Sequence, residues 1–414
     1  MSATVVDPDA PAPGQPPASP GDKHGAVTPR EALRKLADGE LGSVRVILML
    51  ALIWTIFTIA EDRFLTATNL TNLVLQIAAV GTISVGVVLV LLLGEIDLSV
   101  GAVSGLAGAV LAALSEKQGW GPVPAIAAAL AVGALIGLFQ GSIHTQLVIP
   151  SFIVTLAGLL TWQGAQLEVL GETGTINVTD KTIQDLTGTF FDPAIGWVLA
   201  AVCIALVAFE SLGRRRRRGA AGLETEPVFT TAVRVGAAAA GIIVATAVLN
   251  ADRGVPLAAV ILIAFVAAFH YLTTRTTFGR HIYAVGGNAE AARRAGINVK
   301  RVRTIVFVLA STMAAAGGVL AASRLLAVGQ ASGGGDLLLL AIAGPVIAGV
   351  SLFGGRGGVS AALLGALVIG SISNGMDLLG LESSVKYMIT GGVLLAAVVL
   401  DATARRRRAD QGRV

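Results

Sequence analysis

From about residue 44 to residue 401 the chain alternates long apolar stretches with short polar ones. About 20 helical residues cross a hydrocarbon core ~30 Å thick. Twelve stretches approach that length: 44–60, 72–93, 99–114, 123–139, 148–165, 194–209, 232–249, 256–272, 304–322, 336–352, 359–375 and 384–400. Lipid offers backbone amides no partner, so such stretches must satisfy their own hydrogen bonds as helices. The pattern predicts an all-α polytopic membrane helical bundle of about 10–12 transmembrane segments. Several stretches are short or interrupted by Pro, which predicts broken or re-entrant helices among them. One polar island, 279–303, is too long and charged for a turn between spans and too short for a domain. It reads as a docking element for another protein.

Composition strengthens the membrane reading. The chain is 54% hydrophobic and 14% charged, with a mean hydropathy of +0.77, too apolar for a soluble core of ordinary proportions. Charge then sets an orientation. If the N-terminus is cytoplasmic and all twelve stretches cross, residues 1–45, 210–235, 273–303, 353–358 and 401–414 lie inside. Those segments hold every Lys and Arg except Arg63, Lys117, Lys181, Arg253, Arg324 and Lys386, a strong positive-inside bias. The arginine runs 214–218 and 405–408 each follow an apolar stretch, so they mark cytoplasmic ends rather than a nucleic-acid surface.

Three regions follow. Residues 1–43, with seven of the fourteen prolines in the first 29 positions, read as a disordered cytoplasmic tail. Residues 44–401 form the membrane domain, its first stretch a retained anchor rather than a signal peptide. Residues 402–414 form a basic cytoplasmic tail. The lone cysteine, Cys203, excludes an internal disulfide, and neither CxxC nor a His cluster suggests a metal.

Candidate chemistry is sparse at membrane depth. Glu95 and Asp97, in Gly94-Glu95-Ile96-Asp97-Leu98-Ser99-Val100-Gly101, must be paired, capped or wet, because an isolated charge there is costly. Asp97 is expected to cap a helix beginning near Ser99, with a place in a translocation path as the alternative. Pro150 predicts an interrupted helix. Beyond it, Thr155, Trp162 and Gln163 offer hydroxyl, indole and amide groups of the kind a sugar needs; an interfacial anchor is the other reading of Trp162. Gln76, Ser84, Gln140, Ser373 and Asn374 are further path candidates, and His144 reads as a loop histidine. Asp336, after three glycines, is expected to cap its helix as Asp97 does. The glycine stripes Gly133/Gly137/Gly141 and Gly101/Gly105 fit close packing within one subunit or a seam between two copies.

Inside the island, residues 289–295 form a strong helix-forming run stopped at Gly296, with Gly286 and Gly287 as a flexible lead and Asn288 as N-cap. An amphipathic loop lying on headgroups is the alternative. Together with GEIDLSVGAVSG and the Gly-rich C-terminal stretches, the segment YAVGGNAEAARRAGINVKRVR resembles the permease subunits of bacterial ABC importers for monosaccharides, the ribose and xylose type. The resemblance runs from about residue 44 to 401. It implies a cytoplasmic ATPase with two nucleotide-binding halves, an extracytoplasmic sugar-binding protein, a second copy of the chain, and a cytoplasmic-membrane location with both termini inside.

The resemblance also places the ATPase-coupling contact on Gly286, Gly287, Asn288, Ala291, Ala292, Ala295 and Gly296, within a cytoplasmic coupling loop at 273–303, and the family's acidic motif on Asp97, Leu98, Ser99 and Gly101. Many members carry Gly where this chain has Glu95, so no role for that carboxylate comes from the family. Residues 194–249 look like the extra hairpin of the xylose-like branch, which favours a pentose. The chain has no GxxxxGK[ST] phosphate loop, since 354–358 is Gly-Gly-Arg-Gly-Gly. ATP and Mg therefore belong to the partner, and this chain is expected to be a transport subunit, not an enzyme, without a cofactor of its own. The readings from other classes are an ion-coupled secondary transporter, which would lean on Glu95 and Asp97, and an intramembrane enzyme, for which no catalytic constellation is visible. Permeases of the same superfamily for autoinducers or branched-chain amino acids remain within the class.

Overall fold

In the computed structural model residues 42–223 and 228–410 are described. The tail expected at 1–43 lies outside them apart from its last two positions, as do residues 411–414. The first helix, α1 (Gly42–Ala60), is followed by α2 (Ala67–Leu92), which Thr66 starts by accepting the Asn69 N–H. Gly94, with φ near +74°, turns the chain into α3 (Val100–Ala112), prolonged by a π-helical turn Ala113–Lys117. Two long helices follow, α4 (Pro122–Leu147) and α5 (Ser151–Leu170). Their separation is the break Pro150 predicted, with Val148 forced into left-handed backbone at the end of α4.

Beyond α5 come β1 (Thr175–Asn177), α6 (Lys181–Gly188) and β2 (Phe190–Phe191), then the hairpin α7 (Pro193–Ala220) and α8 (Val228–Asn250). The chain continues as β3 (Val255–Pro256), α9 (Leu257–Arg275), α10 (Thr277–Gly287), α11 (Ala289–Arg294) and α12 (Val299–Leu325). It ends with β4 (Ala327–Gly329), α13 (Gly335–Ile347), α14 (Ser360–Leu378) and α15 (Ser383–Asp410). Among the described residues nine helices are long and apolar enough to cross a membrane, and Val46–Ala60 and Asp336–Ile347 are shorter apolar helices. The bundle is therefore all-α and polytopic, with α13 a short element interrupted by Pro345. Two small antiparallel ribbons were not anticipated: β1 pairs with β4 (Ile176 opposite Val328) and β2 with β3 (Phe191 opposite Val255).

The core surrounds α12, which packs on α2, α3 and α4. Small residues make this possible. A side chain at Gly137 would run into the backbone of Phe307 and Val308, one at Gly133 into Ser311 and Ala315, and one at Gly141 into Thr304 and Phe307. That stripe therefore serves close packing within the chain, where van der Waals contact replaces the hydrophobic drive that lipid removes. Gly101 and Gly105 pack the same way against Gly333 and Ser332. The α7–α8 hairpin is different, since few of its residues are buried. The ribbon of β2 with β3 draws its two ends together.

Candidate functional site: a docking helix seated on a buried polar seam

The island folds as two short helices ahead of α12. Thr276 accepts the Gly279 N–H (3.1 Å) to start α10, and Asn288 accepts the Ala291 N–H (2.9 Å) to start α11. Asn288 is thus the N-cap its sequence position suggested. Glu290 in the first turn meets Arg293 at 2.5 Å and Arg294 at 3.2 Å, and these bonds, Arg293's first, hold its carboxyl below the usual range. Gly296, with φ near +85°, ends the helix: its N–H reaches Arg293 O, and the Ile297 N–H reaches Ala292 O.

The residues assigned to coupling divide between two faces. Gly287, Asn288, Ala291, Ala295 and Gly296 are exposed, whereas Ala292 is buried in the main core. Gly286 faces inward too, and a side chain there would fall on the Leu92 carbonyl. That carbonyl accepts the Gly355 N–H at 2.9 Å, and Gly354 packs between Gly286 and Gly94. Tyr283 donates its hydroxyl to Gly357 O (2.9 Å), and burial raises its phenol above the usual value. The helix α10, which leads into α11, thus rests on the last turn of α2 and on the loop before α14.

Beneath it runs a polar seam through the linker 93–99. Glu95 Oε1 lies 3.0 Å from Arg303 of α12 and 3.4 Å from His144 Nε2, at ion-pair range without hydrogen-bond alignment for the histidine. Burial works to raise the Glu95 carboxyl, but His144, Ser151 and Arg303 outweigh it and hold it below the usual range. His144 is not a loop residue. It sits buried in the last turn of α4, with Nδ1 2.6 Å from Ile149 O.

Asp97 differs from the expectation as well. It accepts the Ser99 N–H (2.8 Å) and hydroxyl (2.7 Å), so it holds the residue ahead of α3 and leaves the free amides of that helix alone. Burial raises its carboxyl, against those two bonds. Ser99 also reaches Gln140 Oε1 at 3.0 Å. Thr155 accepts the Leu98 N–H at 3.1 Å. Trp162 lies mid-helix, edge-on to Phe139, with its N–H unpartnered among the described residues. These groups are internal.

Asn374 is turned inward too: its amide exchanges hydrogen bonds with Asn69 at 2.8 and 3.0 Å. Asp336 sits in the first turn of α13 behind the N-cap Gly334, so it is not the cap. Of the path candidates, Gln163 is exposed and lines a cavity of about 120 Å³ with Gln166 and Gly101. Gln76 and Ser373 line a larger one of about 290 Å³, joined by Ser104, Arg324, Ser332 and Asp336. Sequence reasoning missed Ser104, Arg324 and Ser332, because only the packing of α2, α3, α12 and α14 brings them together.

Comparisons with known proteins agree with this architecture. A family described as "Branched-chain amino acid transport system / permease component" matches residues 69–398. The xylose transport system permease protein XylH of Escherichia coli (strain K12) is 38% identical over 366 residues, covering 87% of this chain and 91% of that one. XylH of Haemophilus influenzae (strain ATCC 51907 / DSM 11121 / KW20 / Rd) is 35% identical over 378 residues (90% and 99%). The ribose import permease protein RbsC of E. coli K12 is 32% identical over 357 residues (86% and 92%). No solved structure matches the chain. With a multi-pass helical bundle, a match over most of its length and relatives that are all permease components, this chain belongs to that family of transport-system membrane permeases.

Proposed function

We propose that the chain is the membrane subunit of an ATP-driven importer for a monosaccharide, a pentose such as xylose, in the cytoplasmic membrane with both termini inside. A separate cytoplasmic ATPase with two nucleotide-binding halves supplies the work, and an extracytoplasmic binding protein delivers the sugar. Two copies of the chain rock between outward-open and inward-open states. The observation that carries this reading is α11, a short capped helix exposed on one face and set by Gly286 and Ala292 onto the bundle on the other. Such an element transmits displacement instead of absorbing it. The names of the relatives support the sugar, and the α7–α8 hairpin favours the xylose-like branch. Gln163, polar and exposed midway along α5, supports a second copy or a wet path beside that helix, because lipid is a poor neighbour for an amide.

The experiment is co-purification in mild detergent combined with uptake of labelled xylose. Replacing the exposed Ala291 by Arg is expected to release the ATPase and stop uptake while the chain still inserts. Full ATPase recovery with that variant contradicts the reading. Uptake that survives removal of the ATPase but collapses with a protonophore would instead identify an ion-coupled carrier.

A further inference from the structure

Both ends of the docking helix hold the same short linker. Ahead of α11, Gly286 lies against the Leu92 carbonyl and, through Gly354, against Gly94. Behind it, Arg303 reaches Glu95, the next residue along, at 3.0 Å. The linker is tied onward to α5, because the Ile96 N–H donates to Ser151 (3.3 Å) and the Leu98 N–H to Thr155 (3.1 Å). Glu95 also faces His144, whose Nδ1 lies 2.6 Å from Ile149 O and whose Nε2 stands 3.4 Å from Glu95 Oε1, within ion-pair range but not aligned for a hydrogen bond. Glu95 therefore stands between side chains of two helices, the Arg303 guanidinium of α12 and the His144 imidazole of α4, at a site that is 13% exposed.

The two grips differ in what they transmit. Backbone packing at Gly286 resists compression only, and the hydrogen bonds of Tyr283 and Gly355 tie α10 to the end of α2 indirectly, through the loop 354–357; the Arg303–Glu95 ion pair joins α12 to the linker directly and resists separation.

We propose that Glu95, with Arg303 and His144, is a positioning latch that makes linker 93–99 follow the docking helix in both directions, and with it α3 and α5. The push can pass through glycine contacts, but the return stroke needs the ion pair. This rests on the ATPase docking at α11.

The test uses the whole transporter, with the chain co-purified with its ATPase and reconstituted with the binding protein, and reads xylose uptake against ATP hydrolysis. Glu95→Gln and Arg303→Met are expected to keep the ATPase bound and hydrolysing while uptake per ATP falls about tenfold, a typical size for a coupling between sites. Arg303→Lys, which keeps the charge, restores most of it. The double variant is no worse than either single one, as for residues acting as a unit. Should Glu95→Gln fail to insert, Glu95→Asp keeps the charge with a shorter reach and is expected to lower the same ratio. Unchanged uptake per ATP in Glu95→Gln, or equal losses in Arg303→Lys and Arg303→Met, overturns the latch. If Ala291→Arg leaves the ATPase bound, the docking reading itself fails; if it releases the ATPase while Glu95→Gln transports normally, only the latch fails.

Discussion

Individual residues in this chain matter mostly through what they let the backbone do. Gly137 permits α4 to touch α12, so Gly137→Leu is expected to cost about 1–3 kcal/mol or more through overpacking, seen as a lower melting temperature of the detergent-solubilised protein. Gly236, beside which a side chain meets open space, is the control, and Gly236→Ala should leave that temperature unchanged or slightly raised. The Asn69–Asn374 pair gives a second test. Either residue changed alone to Leu leaves a buried amide unsatisfied, at about 1–3 kcal/mol, whereas the double change should cost less than the sum of the two. The depressed carboxyl of Glu95 fixes a pH sign as well. Its contribution is fully present above the ordinary carboxylate value and is lost as pH falls through the lowered one, so the part of the coupling ratio carried by Glu95 and Arg303 should drop only in acid, and a change near neutral pH would belong to the facing His144 imidazole. Residue roles were the least legible part of the sequence. Asp97 and Asn374 are polar at membrane depth, which the sequence shows, but their partners Ser99 and Asn69 are fixed by packing, and in the case of Asn69 by a residue 305 positions away.

At the scale of elements the chain was far easier to read, because lipid imposes one rule on every apolar stretch. All twelve stretches coincide with helices, and Pro150 marks the break between α4 and α5. Asn288 and Gly296 bound α11 for the reasons a cap and a left-handed stop require. What stayed hidden were the two ribbons, since strands of two or three residues carry no periodic signal. The ribbon of β2 with β3 now makes a prediction possible. It holds Phe191 beside Val255, so the intervening hairpin can be replaced by a short Asn-Gly turn. Excision is expected to leave insertion and ATPase association intact in co-purification, at some loss of thermal stability because Thr246 and Leu249 of α8 are buried. Loss of ATPase association would show that the hairpin shapes the docking face.

The molecule as a whole is a transport subunit whose ATPase activity belongs to a partner. The candidate path side is a cavity of about 290 Å³ lined by glycines, apolar side chains, the hydroxyls of Ser104, Ser332 and Ser373, and the polar groups of Gln76, Arg324 and Asp336, roomy enough for a small polar solute. The proposed drive side is a helix of six residues, α11, flanked by Gly286 of α10 against the end of α2 and by Arg303 of α12 against Glu95 in the linker that starts α3. The sequence announced the island as one contiguous polar segment and obscured the cavity, whose lining comes from five helices, α2, α3, α12, α13 and α14, and the loop before α13. Everything depends on which side of the membrane α11 occupies. The direct measurement is labelling of Ala291→Cys with an impermeant maleimide, with Cys203, the chain's one cysteine, replaced by Ala. The account predicts no labelling in intact cells, labelling in inverted vesicles stripped of the ATPase, and protection once the ATPase is bound. Labelling from outside intact cells would contradict it.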